Sequence, residues 1–493
     1  MKTALILLLA CVLSVLVSCS KSDPLLNIEG GQVVGVKTTA KGVTSFKGIP
    51  YAAPPVGELR WKEPQPVVPW EGVKVADTYG DAASQVTWDP ESFYGKEWQA
   101  SGSVPFSEDC LYLNVWTTAP GQTDRKLPVA LWIFGGGLRE GWGSEPEFDG
   151  EAWAGKEVVL VTFNYRVGVF GFLTHPELSA ESPEGVSGNY GILDQIEALK
   201  WVKKNIAQFG GDPNNVTIFG QSAGGRSTKT LCASPLARGL FNKAIIMSAS
   251  GLATVPGPAT AAASPSTISS SMRSFAPLTL QESAQQTKEV MDWAGLTNLE
   301  KMRAASTEVI FTVGGIYQSV TGNRTWMSSG LISPIVDGYV LKENFDDAAV
   351  NNNLANVPYM IGFTLNDSGN MAPGIVDFCL NREETGDKAY AYQFARPLPT
   401  DGRENVLKGA FHSSDLWYVF QSFKNSWRPW TDGDWALSEV MLTDWTNFAK
   451  YSDPNGLNGG KWTPCTKENS KFMLFKLNEN SVEHSEMGDP LQQ

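Results

Sequence analysis

The stretch "NNVTIFGQSAGGRS", residues 214–227, decides how the whole chain is read. Its first part, Asn214 to Phe219, is a strand-like run. Its second part sets Ser222 between Gly220 and Gly224, two residues away on either side. A turn that simply needs glycines would look the same. The sharper reading is a serine held on a strained strand-to-helix bend, which brings neighbouring backbone so close that both flanking positions must be small. "SAGGRSTKTLCAS", from Ser222 to Ser234, reads as the start of a helix. The serine therefore lies at a strand–turn–helix junction, the context that gives a G-x-S-x-G match its meaning.

Working outward, strand-like runs alternate with helix-like ones, the pattern of an α/β sheet. "LPVALWIF" (127–134) and "EVVLVTFNY" (157–165) are continuous apolar runs, as expected of strands covered on both faces. Between Asn189 and Phe209 the period changes: Ile192, Ile196, Leu199, Val202 and Ile206 recur every three to four residues, an amphipathic helix. "GGDP" (210–213) then breaks the chain before the strand that leads to Ser222. Residues 253–277, rich in Ala, Ser and Pro, read as a surface insertion. Thr279 and Glu282 form a capping box that opens the helix "QESAQQTKEVMDWAG". No clean linker interrupts the body, so residues 26–493 read as a single elaborated domain.

The chain has 493 residues, 42% apolar and 18% charged, enough for a large core. A net charge of −13 argues against nucleic acid and anionic membrane surfaces as partners. The first 18 residues of "MKTALILLLACVLSVLVSCS" resemble a lipoprotein-type signal peptide. Cys19 would then be the lipidated mature N-terminus and residues 19–25 a tether. An ordinary secretory signal that happens to contain Cys19 is the alternative. Either way the body is expected to be exported, to the periplasm, outer membrane or cell surface, touching membrane only through the anchor. With Cys11 removed and Cys19 assigned to lipid, Cys110, Cys232, Cys379 and Cys465 remain. They are no disulfide framework, and Cys379–Cys465 is the one pairing considered. Paired Cys/His spacing is missing and the chain holds three His, so no metal is expected.

A serine hydroxyl needs a base to take its proton. His175 precedes Ser222, whereas on this scaffold the order along the chain is nucleophile, acid, histidine. His484 sits in a polar tail. His412, in "GAFHSSDLWYVF", is the preferred base. The acid should follow a strand between Ser222 and His412. Asp367 does so, just past the run Tyr359–Thr364. Asp337, in "SPIVDGYVL", is the competitor, though "VDG" reads as a turn. The third requirement is an oxyanion site. Gly135-Gly136-Gly137 follows a strand, and the N–H groups of Gly136 and Gly137, with that of Ala223, would supply it.

Several stretches together resemble the type-B carboxylesterase family: "GIPYAAPPVGELRW" (48–61), "SEDCLYLNVW" (107–116), "NYRVGVFGFLTHPELS" (164–179), "GNYGILDQIEALKWV" (188–202), "FGGDPNNVTIFGQSAGG" (209–225) and "WTNFAKYSDPNG" (445–456). The resemblance implies an α/β-hydrolase fold, a large mostly parallel sheet with helices on both faces. It also implies carboxylic esters as substrates, no cofactor, and roles for Ser222, Asp367, His412, Gly136, Gly137 and Ala223 at the matching positions. His175 falls in a segment that is structural in the family. The chain departs from the family at Phe134, where relatives usually have His or Tyr, and at Asp367, where Glu is usual. It also has Arg226 where many relatives have a small residue, and Cys110 lacks its usual upstream partner. The interval from Asp367 to His412 is short for the family. The expected chemistry is ester hydrolysis through an acyl-enzyme, with a small-molecule or carbohydrate-linked ester as partner. Amide or peptide hydrolysis by the same residues, or a non-catalytic binding module of this fold, are the alternatives. Trp142 and Trp326 are candidates to line the pocket.

Overall fold

The continuous apolar runs become the middle of a sheet. The computed structural model describes residues 24–86, 89–98, 104–252, 278–323, 325, 332–367, 369–403, 406–477 and 485–492. Residues 1–18, Cys19, the 253–277 insertion, Trp326 and His484 lie outside them.

An eleven-stranded sheet organises the molecule. Its strands are β1 (Val36–Lys37), β2 (Thr44–Pro50), β3 (Tyr112–Thr117), β4 (Leu127–Ile133), β5 (Val159–Phe163), β6 (Gly211–Gln221), β7 (Lys243–Met247), β8 (Tyr359–Thr364), β9 (Ala389–Phe394), β10 (Phe472–Phe475) and β11 (Ser485–Gly488). Their spatial order is β11-β10-β9-β8-β7-β6-β4-β5-β3-β2-β1. Pairing is parallel throughout from β5 to β10. Antiparallel strands flank this run, β3 to β1 on one side and β11 on the other. Every residue of β5, β7, β8 and β9 is buried, as strands covered on both faces require. The buried apolar side chains form one continuous cluster across the sheet.

The chain order reverses at β4, which has β5 on one side and β6 on the other. In open α/β sheets such a switch point leaves a crevice beyond the carboxyl ends of the strands, where ligands bind. The glycine run leaves β4 and Ser222 leaves β6, so both open into that crevice.

The helices follow the expected periodicity. Helix α1 (Tyr190–Asn205) runs into a short 3₁₀ segment, Ile206–Phe209, and together these cover the expected span. Helix α2 (Ala223–Ala233) starts directly after Ser222. Helix α3 (Leu280–Trp293) is capped by Thr279 and Glu282 in a reciprocal capping box, as read from the sequence. Helix α4 (Thr307–Thr321) and the long helix α5 (Asp432–Tyr451) complete the set used below. One boundary differs. "GGDP" does not break the chain before the strand, because β6 already begins at Gly211 and absorbs the Pro through a register shift against β4 between Gly211 and Val216.

Two ion pairs among the described residues are almost wholly enclosed. Arg166 grips Asp194 through two nitrogens, at 2.8 and 2.7 Å. Arg428 holds Glu97, which also accepts a bond from Trp417 Nε1 at 3.1 Å. Both members of the second pair are almost fully buried. The four described cysteines are free and buried. The Cys379–Cys465 bridge is therefore not formed, although the two thiols are in hydrogen-bonding contact. Cys110 is a buried thiol on the β3 side, and burial pushes its ionisation well up. At the far edge, β11 pairs with β10, and Gln393 exchanges two hydrogen bonds with the Leu491 backbone at 3.1 and 2.7 Å.

Candidate active site

Ser222 sits at φ 57°, ψ −121°, a conformation that side chains rarely adopt. The neighbouring glycines explain why the bend can form. A Cβ on Gly224 would lie 1.9 Å from the Ile133 carbonyl oxygen, and one on Gly220 would lie 2.4 Å from the Gly224 carbonyl oxygen. The Ser222 N–H is tied to the Met247 carbonyl at 2.9 Å, and its own carbonyl accepts from Arg226 N at 2.9 Å. The serine is thus fixed at the end of β6 and at the head of α2.

Asp367 and His412 are brought together from loops 45 residues apart, with Asp367 Oδ1 2.6 Å from His412 Nδ1. The Asp367 side chain is fully buried and the His412 ring is partly open. Asn366 holds the two loops in register: its N–H donates to the Ala410 carbonyl, and its Oδ1 accepts from Ala410 N, both at 2.9 Å. The shorter Asp in place of Glu therefore reaches the imidazole. The other ring nitrogen, Nε2, is 3.3 Å from the Gln221 amide nitrogen.

Gly136 and Gly137 have φ of 89° and 67°, and a Cβ on Gly136 would meet the Glu140 carbonyl oxygen at 2.1 Å. That carbonyl belongs to a tight turn in which Arg139 N and Glu140 N both donate to Gly136 O. Among the described residues, the N–H groups of Gly136, Gly137 and Ala223 bond to no protein acceptor. Beneath the turn Phe134 stacks on Tyr165, with ring centroids 4.2 Å apart, and Tyr165 Oη donates to the Phe134 carbonyl at 2.8 Å. An aromatic pair thus supports the loop at the position where a polar residue is usual.

One cavity of about 430 Å³ gathers these groups: Ser222, His412, Gly135, Gly136 and Gly137 line it. Its apolar wall comes from Tyr94, Trp98, Phe148, Ile332 and Leu416. Trp142 is not in that wall. It is buried against Phe106, because its own N–H is drawn back to Glu145. Asp337 forms the turn expected of it, accepting from Tyr339 N and Leu341 N. His175 is buried as a helix cap, its Nδ1 accepting from Glu177 N.

Three acidic side chains escaped the sequence reading. Glu145 and Glu147 line the cavity yet are almost fully buried. Burial raises Glu145 to about 7 and also pushes Glu147 well above the usual carboxylate range, with the charge of Glu145 adding to the effect. Burial thus favours the protonated form of both carboxyls, while the Trp142 backbone N–H donates to Glu145 at 2.8 Å. Asp415 lies behind His412, where burial and then the charge of Asp367 raise it to about 7, and Tyr392 Oη donates to it at 3.2 Å. Two were visible only as "SEPEF", a polar-looking loop, and the third only as the Asp three residues after His412. Among the described residues no cluster of His, Cys, Asp and Glu is arranged to hold a metal.

Comparison with known proteins gives this geometry its context. A sequence profile of the carboxylesterase family matches residues 22–379 and 370–491. The chain is similar to fumonisin B1 esterase from Sphingopyxis macrogoltabida, with 37% identity over 396 residues, covering 78% of this chain and 65% of that protein. It is similar to para-nitrobenzyl esterase from Bacillus subtilis, with 37% identity over 379 residues, 76% of this chain and 68% of the relative. The match thus spans less than two thirds of the length of the fumonisin B1 esterase. Among solved structures, a thermophilic PNB esterase superposes with a TM-score of 0.74 at 27% identity, covering 94% of this chain and 97% of its own. The fold is accordingly an α/β-hydrolase fold, and the chain belongs to the carboxylesterase family.

Proposed function

We propose that this protein hydrolyses carboxylic esters, with Ser222 as nucleophile, His412 as base and Asp367 as the acid that orients the imidazole. The observation that carries this reading is the 2.6 Å Asp367–His412 contact on the cavity that also holds Ser222 on its strained bend. Asp367 fixes the tautomer with the proton on Nδ1, which leaves the Nε2 lone pair free to accept. In the resting geometry that lone pair faces the Gln221 amide. Catalytic hydrogen bonds often tighten only once substrate is present, so the ring exchanges this contact for the Ser222 hydroxyl. As Oγ attacks the ester carbonyl, His412 takes its proton. The oxyanion settles on the N–H groups of Gly136, Gly137 and Ala223. His412 then hands the proton to the departing alcohol. A water deprotonated by the same ring releases the acid from the acyl-enzyme.

The test is turnover of nitrophenyl acetate and butyrate by the purified protein beside Ser222→Ala. The serine variant is expected to lose about 10³-fold or more of kcat. The rate should also fall at acid pH, because imidazolium cannot accept the serine proton. A parent inactive on a wide ester panel would leave a binding scaffold, and a flat acid limb would remove His412 from its role.

We further propose that residues 1–18 direct export and that Cys19 carries lipid, which places the enzyme at a membrane surface facing small-molecule or carbohydrate-linked esters. Radiolabelled palmitate should enter the wild-type protein in cells and not Cys19→Ser. Absence of label from the wild type overturns the anchor.

A further inference from the structure

Two arginines, Arg139 and Arg226, line the cavity that holds Ser222. They arrive from different elements. Arg139 belongs to the turn after the glycine run, its N–H bonded to the Gly136 carbonyl at 3.0 Å. Arg226 stands one helical turn beyond Ser222 on α2, its N–H bonded to the Ser222 carbonyl at 2.9 Å. One guanidinium is therefore anchored to each half of the site, the oxyanion loop and the nucleophile bend.

Among the described residues neither side chain has an ion pair, hydrogen bond or ring contact. Arg226 is exposed and Arg139 half-buried, both on the open side of the cavity. The arginines enclosed in the protein instead meet a carboxylate, as in Arg60–Glu108, Arg166–Asp194 and Arg428–Glu97. Here the acidic groups of the cavity are engaged elsewhere. Glu145 and Glu147 are turned toward each other and the Trp142 N–H, and Glu140 has a partner of its own. Two positive charges on one cavity repel each other. Crowding by protein, and then the charge of Arg139 against the opposing influence of Tyr165, disfavours the charged form of Arg226. An anion bound in the cavity would offset that repulsion.

We propose that Arg139 and Arg226 bind a carboxylate of the substrate, so that the preferred esters carry a free carboxylate a few bonds from the ester carbonyl. The guanidinium fork matches a carboxylate with two parallel hydrogen bonds, and a charge at this place orients the ester against Ser222. The inference rests on the ester-hydrolase reading and adds the substrate class. The carboxylate can sit on the acyl or on the alcohol side of the ester, and the assay separates the two.

Four substrates are compared with the full-length protein in a pH-stat: monoethyl glutarate against ethyl valerate for the acyl side, and 3-acetoxypropionate against butyl acetate for the alcohol side. On one side the anionic ester should show the higher kcat/KM by about tenfold or more, and the advantage should shrink as salt is added. Arg139→Gln and Arg226→Gln should each lower the anionic-to-neutral ratio by about tenfold, with Arg226→Lys retaining part of it. Free glutarate should inhibit ethyl valerate hydrolysis competitively in the wild type, a reading that needs no variant to fold. If the neutral esters are turned over with a ratio near one on both sides, and glutarate does not inhibit, the anion site is wrong while the esterase stands. If no ester is turned over by the wild type, the esterase reading itself fails.

Discussion

A single methyl group tests the bend at Ser222. A Cβ on Gly224 has nowhere to go, since the two nearest atoms are the carbonyl oxygens of Ile133 and Phe134 at 1.9 and 2.7 Å, and backbone cannot step aside. Gly224→Ala is expected to abolish turnover and to lower stability by about 3 kcal/mol or more, in the range of severe overpacking. The control is Gly315→Ala in the middle of α4, where a Cβ meets nothing within 4 Å. That change should raise stability by about 0.5–1 kcal/mol, because alanine gives up less backbone freedom on folding. Thermal unfolding of the two variants, read beside the nitrophenyl ester assay, decides the matter. Equal stability losses would mean that the close approach at Gly224 is not real.

At the scale of elements, the loop from Gly136 to Phe148 is where strand geometry turns into chemistry. It carries the turn that closes on Gly136 O, and it contributes the buried Glu145–Glu147 pair to the cavity lining. Both carboxyls hold their protons more tightly in the folded protein than an unfolded chain would, with Glu145 at about 7. Between the ordinary carboxylate range and about pH 7 the native state therefore binds more protons than the unfolded state. Stability falls as pH rises through that window, and it is fully retained below it. Glu147→Gln keeps the shape and stays neutral, so the decline in Tm between pH 5 and pH 8 should flatten. An unchanged slope would place the sensitivity elsewhere, with Asp415 the next group to replace, since it too stands near 7.

At the scale of the whole molecule, legibility followed hydrophobic pattern and glycine placement. Ser222 could be read because strand, bend and helix each leave a mark in sequence, and Asp367 because it ends a buried strand. The Asp367–His412 distance could not be read, since it depends on how Asn366 locks two remote loops. Glu145 and Glu147 were invisible for a similar reason: polar letters in a loop look solvated until the rest of the chain folds over them. Glu97 is the same case at longer range, because its burial depends on Arg428, 331 residues away. The edge strand β11 has the sequence "SEMG", with no apolar alternation, so only its backbone pairing identifies it.

That edge strand matters for handling the protein in solution. β10 is "FMLF", an apolar, uncharged strand whose outer row of N–H and C=O groups is occupied only because β11 lies against it. Exposed strands of this composition are templates for joining another chain. A chain cut after Leu477 should keep Ser222 and its cavity intact, as both lie far across the sheet, yet self-associate through the bared edge. Light scattering should then rise with concentration while ester turnover per soluble monomer stays near that of the parent. A monodisperse truncated protein would show that the rest of the fold shields β10 by itself. If the edge does behave this way, the sixteen ordinary-looking residues after Leu477 serve as a solubility device, and an affinity tag is better placed at a distance from them.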